Sequence, residues 1–347
     1  MTRTATAPAT PATHQRPRDW MKHLSAYREP HHGRSLWEIV VSVGPLLGLW
    51  AAAILAIDAS PWLAVIISIA NGAFLVRAFM IQHDCGHGAF FRGRRANDWV
   101  GRCLGVLTFT PYEVWRRKHA IHHGTAGNLD ERGTGDIPTL TVAEYRGLSR
   151  GGRCLYRLYR HPLFLFGVAP AYVFLIQNRL PFGLLRAGRR YWISALGTDA
   201  AIVGTLALLA YLHGTAPLML AILPTLLTGA SIGMWLFYIQ HQFEDTHWEH
   251  DPDWQLHDAA LHGSSHYDLP PVLRWFTANI GIHHVHHLYS RIPFYRLPQV
   301  LRDHPGLAES QRMTLRESLR CARLHLWDET GKRLLSFAEA RALTAAP

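Results

Sequence analysis

Histidines carry the strongest chemical signal in this 347-residue chain. They gather in three clusters, His83-Asp84-Cys85-Gly86-His87, His119-Ala120-Ile121-His122-His123 and His283-His284-Val285-His286-His287. Residues at i, i+3 and i+4 share a helix face, so HxxxH and HxxHH each turn their imidazoles toward one point. Three such faces supply enough ring nitrogens for two metal ions. Neutral imidazole suits iron, copper, zinc and nickel. Catalytic zinc needs only three protein ligands, and copper sites usually recruit Cys or Met, so both would be over-supplied. Two irons fit the count best. Soluble four-helix di-iron enzymes use Glu and Glu-x-x-His instead, so an all-nitrogen set is a separate solution. Next to apolar segments, such a pair points to O2 activation and attack on an unactivated C–H bond, chemistry that side chains alone do not offer.

Those apolar segments are abundant. Hydrophobic residues make up 48% of the chain and charged residues 17%, against about 25% charged in a typical soluble domain. Twelve Trp and twelve Tyr suit membrane interfaces, where rings with one apolar and one polar end settle. Four stretches, 36–57, 61–81, 192–212 and 217–238, have the roughly 20 apolar residues that a crossing requires. Three residues part the first two and four part the last two, which makes two tight transmembrane hairpins with both turns on one side. The stretches 100–111 and 162–176 are too short to cross, and Pro162 and Pro170 interrupt the second. A single crossing by either would put the clusters on opposite faces. Both are therefore expected to be interfacial or re-entrant.

Charge gives the orientation. Of 35 Lys and Arg residues, six precede Leu36, seventeen lie in 82–191 and eleven follow Tyr238, while the hairpin turns carry none. The remaining one, Arg77, is expected to snorkel out from its span. The positive-inside rule makes the large regions, both termini and all three clusters cytoplasmic. The net charge of +10 then belongs against anionic lipid headgroups, and nucleic acid is not expected as a partner. Cys85, Cys103, Cys154 and Cys321 show neither a disulfide framework nor zinc-ribbon spacing. Residues 1–18 lack the apolar core of a signal peptide and read as a disordered tail.

HDCGH, HAIHH and HHVHH, together with the two hairpins, resemble the membrane fatty acid desaturases, and most of all their bacterial and plant Δ12/ω-type branch. The likeness runs from about Trp37 to Phe337. It includes Gly127-Asn128-Leu129-Asp130-Glu131-Arg132-Gly133 after the second cluster and Gln240-His241-Gln242-Phe243-Glu244-Asp245 after the fourth span. Asn279-Ile280-Gly281 before the third cluster and Leu326-Trp327-Asp328-Glu329 near the end also match. The resemblance implies an all-α integral membrane fold: four transmembrane helices as two hairpins, interfacial helices, and a cytoplasmic helical cap carrying the histidines. The desaturase domain would span 36–337, between an N-terminal tail of 1–35 and a C-terminal tail of 338–347. A bacterial inner membrane is the expected location.

The resemblance also implies the ligands: His83, His87, His119, His122, His123, His283, His286 and His287, with His241 as a ninth. His284 is left over and reads as an outer-layer or surface residue. His247, His250, His257, His262 and His266 fall outside the pattern, and His266 is the least settled of them. Asp84, Asp130, Asp136 and Glu244 are candidates to orient ligating rings through the second ring nitrogen, while Glu113 reads as a helix cap. Asp199, costly inside a span, suggests a bundle-facing hydrogen bond. Trp115 and Trp275 suit either an acyl tunnel or ordinary interface packing. The implied cofactors are two iron ions cycling between Fe2+ and Fe3+, with no bound haem, flavin or nicotinamide. His304-Pro305-Gly306-Leu307 lacks the last glycine of a haem-binding HPGG, and no GxGxxG opens a nucleotide site.

The expected activity is O2-dependent desaturation, placing a cis double bond in an acyl chain with electrons from a separate ferredoxin-type or cytochrome-type donor. An alternative on the same scaffold is a hydroxylase or ketolase of an alkane, acyl chain, sterol or carotenoid. A metal transporter is a third reading. Its spans would need a polar pathway, and only Asn71, Arg77, Asp199 and Glu38 are available.

Overall fold

The computed structural model describes residues 19–343, so the tail expected at 1–18 lies outside the described residues. The helices that matter to the site are, in chain order, α1 (His32–Ala56), α2 (Pro61–His87), α3 (Arg94–Leu107), α4 (Tyr112–Thr125), α5 (Arg150–Tyr159), α6 (Ala169–Leu175), α7 (Arg189–His213), α8 (Leu223–His241), α9 (Pro271–Phe276) and α10 (His283–Leu288). A π-helical turn, Leu218–Ile222, leads into α8. Helices α1, α2, α7 and the continuous Leu218–His241 are long and apolar enough to cross a membrane. They follow one another as the two expected hairpins, turning at 57–60 and 214–215. Leu36, Val40, Leu55, Ile66, Ile193 and Val203 stand exposed along these helices, as lipid-facing side chains must.

Helix α2 is the centre of the bundle. Its most apolar window is 56% buried, against 11% for α7. It packs on α1, α3 and α8, and the α2–α8 crossing is closed by small residues. A Cβ on Gly72 would come within 2.7 Å of the Thr228 Cβ, and one on Gly229 within 2.8 Å of the Leu75 Cδ2. Side-chain hydrogen bonds join the helices at this level. Thr225 Oγ1 donates to Ser68 O over 3.0 Å, and Asn71 Nδ2 donates to Leu46 O over 3.0 Å. Such contacts hold helices together where lipid offers no hydrophobic drive.

Arg77 does not snorkel. Its guanidinium is 2% exposed and pairs with buried Glu38, donates to the Trp275 carbonyl and lies 3.8 Å from the Trp275 ring centroid. Arg34 reaches the same carboxylate at 2.7 Å. Glu38 is four residues after Arg34 on α1, and through its pair with Arg77 it ties α1, α2 and α9 together. Asp199 likewise receives Arg179 Nη1 at 2.6 Å, fixing α7 to the segment after α6.

The stretch 100–111 divides between the end of α3 and the turn into α4. The stretch 162–176 does not cross straight, since helix Arg150–Tyr159 and the run Phe164–Arg179 meet at 57°. The polar half of the molecule also contains strands that no sequence periodicity announced: β1 (Leu140–Thr141), β2 (His266–Asp268), β3 (Arg312–Thr314), β4 (Leu326–Asp328) and β5 (Arg333–Leu335). They pair in the order β1-β4-β5 and, separately, β2-β3. At two or three residues each, they are too short for alternation to register. Parts of both expected tails, 19–35 and 338–343, are among the described residues. Leu24 and Tyr27 are buried ahead of α1, and helix Phe337–Ala342 packs Ala340 into the cluster of Tyr145, Tyr156, Leu326 and Leu335.

Removing one member of a buried ion pair leaves a desolvated charge, at a cost of about 3–5 kcal/mol. Glu38→Ala should therefore lower the denaturation midpoint of the detergent-solubilised protein strongly. The double variant Glu38→Leu/Arg77→Met should recover most of the loss.

Candidate metal centre

Four helices deliver the histidines to one place. His83 and His87 lie one turn apart at the end of α2; α4 contributes His119, His122 and His123; His241 is the last residue of α8; α10 brings His283, His286 and His287. Nine imidazoles form two groups, each able to hold a metal ion. His83, His87, His119, His123 and His286 make the first, and His122, His241, His283 and His287 the second, with ligand atoms inside each group within 4.8 Å of one another. The groups adjoin, for the His123 and His287 rings stack with centroids 4.0 Å apart.

The nitrogens face each other in a way hydrogen bonding alone does not satisfy. His119 Nε2 lies 3.0 Å from His83 Nε2, 3.0 Å from His87 Nε2 and 3.1 Å from His123 Nε2. His123 Nε2 is also 3.1 Å from His286 Nε2. One ring proton serves one such contact, not three. Two nitrogens bound at right angles to one ion at about 2.1 Å stand about 3.0 Å apart. In the second group His241 Nε2 is 3.1 Å from both His122 Nε2 and His283 Nε2, and His287 Nε2 is buried without a protein partner. The donor set therefore fits two nitrogen-ligated cations. Burial first, then the other imidazoles, holds His119, His123, His283, His286 and His287 well below the usual histidine range. They are neutral, with lone pairs free.

The second ring nitrogens are oriented from outside. His122 Nδ1 meets Asp136 Oδ1 at 2.6 Å, and His83 Nδ1 meets Asp84 Oδ1 at 3.2 Å. His241 Nδ1 donates to Gly263 O over 3.2 Å. Asp84 also accepts the Phe294 amide at 2.7 Å, which ties α2 to the chain after α10. Two expected carboxylates lie elsewhere. Asp130 pairs with His250 at 2.8 Å on the surface and accepts the Asp251 amide. Glu244 is exposed just beyond α8 and reaches no imidazole of either group. The loop after α4 explains the contrast. Its start is tied outward by Leu129 N–H to Glu249 O, 2.9 Å. Gly135, at φ 81°, then turns it back so close that a Cβ there would sit 3.1 Å from the His122 Cβ.

His247, His250, His257, His262 and His266 enter neither group. His284 is not a surface residue: it is 0% exposed, and its Nε2–H donates to Leu307 O over 2.8 Å. His266 Nδ1–H donates to Ala308 O over 2.6 Å. The two residues clamp helix Pro305–Glu309 against α10. Glu113 takes part in ion pairs with Arg102 and Arg116, both at 2.8 Å, at the first turn of α4. Trp115 stacks on His119 at 4.6 Å, and Trp275 lies over Arg77.

Arg160 went unnoticed in the sequence and is wholly buried. It donates to Thr139 Oγ1 at 3.0 Å, Tyr238 OH at 3.1 Å, Gln242 Oε1 at 3.1 Å and Leu324 O at 2.8 Å. It thereby fixes the end of α8, and so His241, to the cap segments at Thr139 and Leu324. It is one of four arginines between 150 and 160, and no local feature sets it apart from Arg150, Arg153 and Arg157.

Outer partners of metal-bound histidines typically govern 10–100-fold in metal affinity. Asp136→Asn should weaken metal retention by about that factor, read as metal content after dialysis against graded chelator. His284→Ala should cost about 1–3 kcal/mol by orphaning a buried carbonyl, with metal content per chain unchanged.

Comparison with known proteins agrees with this geometry. The model of the family described as fatty acid desaturase matches residues 60–318. A fatty acid desaturase of Bacillus subtilis (strain 168) is 42% identical over 91% of this chain and 89% of its own length. An sn-1 acyl-lipid omega-3 desaturase (ferredoxin) of Synechocystis sp. is 27% identical over 78% of this chain and 74% of its own. An sn-1 oleoyl-lipid 12-desaturase of Anabaena variabilis is 27% identical over 74% of this chain and 71% of its own. With its four apolar helices and two imidazole groups, the chain belongs to the fatty acid desaturase family of membrane-bound, generally iron-dependent oxidoreductases.

Proposed function

We propose that this protein is an O2-dependent di-iron acyl-lipid desaturase that places a cis double bond in an acyl chain. The observation that carries the reading is the pairing of nine converging imidazoles, five in one group and four in the next, where α2 and α8 end. Iron held there supplies O2 activation and the oxidising power to break an unactivated C–H bond. The balance is one acyl –CH2–CH2–, one O2, two electrons and two protons giving –CH=CH– and two waters.

The chain's own residues set the conditions. Asp136 holds the His122 proton at Nδ1, so Nε2 presents its lone pair inward. Trp115 against His119, Phe79 edge-on to Trp115, and Phe237 with its ring 5.0 Å from His122 border the imidazoles with aromatic surface. Such a border favours hydrocarbon and excludes water. The basic half of the molecule faces the cytoplasm of a bacterial inner membrane, as its Lys and Arg distribution supports. The relative named as a ferredoxin-dependent acyl-lipid enzyme supports membrane lipid as substrate and a ferredoxin-type donor over a cytochrome-type one.

Fatty-acid profiles by mass spectrometry, from an aerobic host expressing the protein or its His283→Ala variant, test this. A new unsaturated acid with the wild type alone is expected, with loss by the variant below detection. An oxygenated product would move the chain to the hydroxylases on the same scaffold. Full activity in His283→Ala would overturn the ligand assignment.

A further inference from the structure

The two groups differ in access. All four imidazoles of the second are buried, whereas His87, His119 and His123 of the first are partly exposed. His87 lines a cleft of about 480 Å³ between the end of α2, the start of α3, α4 and the start of α7. Arg92, Arg94, Arg116, Arg117, Arg190 and Arg291 surround it, against only two acids, Asp98 and Glu113, leaving four positive charges in excess. Both acids are engaged: Arg116 reaches Asp98 at 2.7 Å and Glu113 at 2.8 Å. Arg117 and Arg291 are exposed and have no carboxylate partner among the described residues.

We propose that this cleft is the docking site of an acidic one-electron carrier protein, whose electrons enter the first group through His87. The proposal rests on the desaturase reading, which requires two electrons per double bond. Two reduced carriers dock in turn, each is oxidised by one electron, and with two protons and the two substrate hydrogens one O2 becomes two waters. Electron transfer slows exponentially with distance, so the carrier's redox group must approach an imidazole. His87 is the one imidazole of either group lining this cleft. Arginine forks from several elements suit a rim of carboxylates, and such complementarity steers encounter and weakens with salt. An anionic lipid headgroup would match the charge but has no need of a metal-ligating floor.

The test uses the full chain in zwitterionic nanodiscs and a recombinant acidic [2Fe–2S] ferredoxin as probe, with binding measured by surface plasmon resonance across ionic strengths. Arg117→Glu/Arg291→Glu should weaken binding at low salt at least tenfold and flatten its salt dependence. Arg316→Glu/Arg320→Glu, on the helix Leu315–Cys321 that does not line the cleft, should bind as wild type. Equal binding by the cleft variant, or none by the wild type, overturns the proposal. So does a variant that keeps ferredoxin binding but loses phosphatidylglycerol retained in native mass spectra, which would mark a headgroup site. In cells, a cleft variant desaturating as fully as wild type overturns the docking site alone. A wild type yielding no double bond overturns the desaturase reading, while the binding contrast remains measurable without turnover.

Discussion

Nine imidazole lone pairs aimed at two points inside a desolvated space are the constraint on which this molecule is built. Left to themselves, nitrogens 3.0–3.1 Å apart with too few protons to share would spread or admit water. They stay together because they sit on elements that do not yield. The first group draws on the end of α2, the most buried span, and the second on the end of α8, which packs against it. Burial also keeps protons off the cap imidazoles, so the condition that makes the cluster costly without a cation makes it ready for one.

The cap answers the same constraint from the other side. Helix α10 has only six residues, too short to be stable alone, yet it carries three of the nine imidazoles. It is held by amides of His283 and His284 to Ser265 O, by the His284–Leu307 and His266–Ala308 bonds, and by the Asp84–Phe294 link to α2. Arg160 does the equivalent for α8. The aqueous half is thus a polar mould set around the imidazoles, while the apolar half is a rigid stand beneath them.

What the sequence disclosed follows from the range of each signal. HxxxH, HxxHH and the hairpins are local patterns, readable because helical period and span length are properties of neighbouring residues. His241 has no such neighbour and became visible only through likeness to a family. Asp130 and Asp136 lie in one loop, and nothing local tells which returns to His122. The fold at Gly135 and the Leu129–Glu249 tie decide it, and both depend on long-range contact. Arg77 showed the opposite failure. Its position in α2 was readable, but its partner Glu38 is on another helix, so burial could not be foreseen. His284 was hidden for the same reason, its acceptor being the carbonyl of a residue 23 positions on.

The glycine crossing between α2 and α8 has a consequence of its own. Gly72 precedes His83 by eleven residues and Gly229 precedes His241 by twelve, arms of about 16 and 18 Å at about 1.5 Å per residue. Two rods pivoting at one point magnify any error there at their tips. A side chain wedged into the crossing would open the pair like scissors and pull the two metal-facing ends apart without touching either. Geometric precision at the chemical end is thus set by the absence of two methyl groups deep in the lipid-facing half.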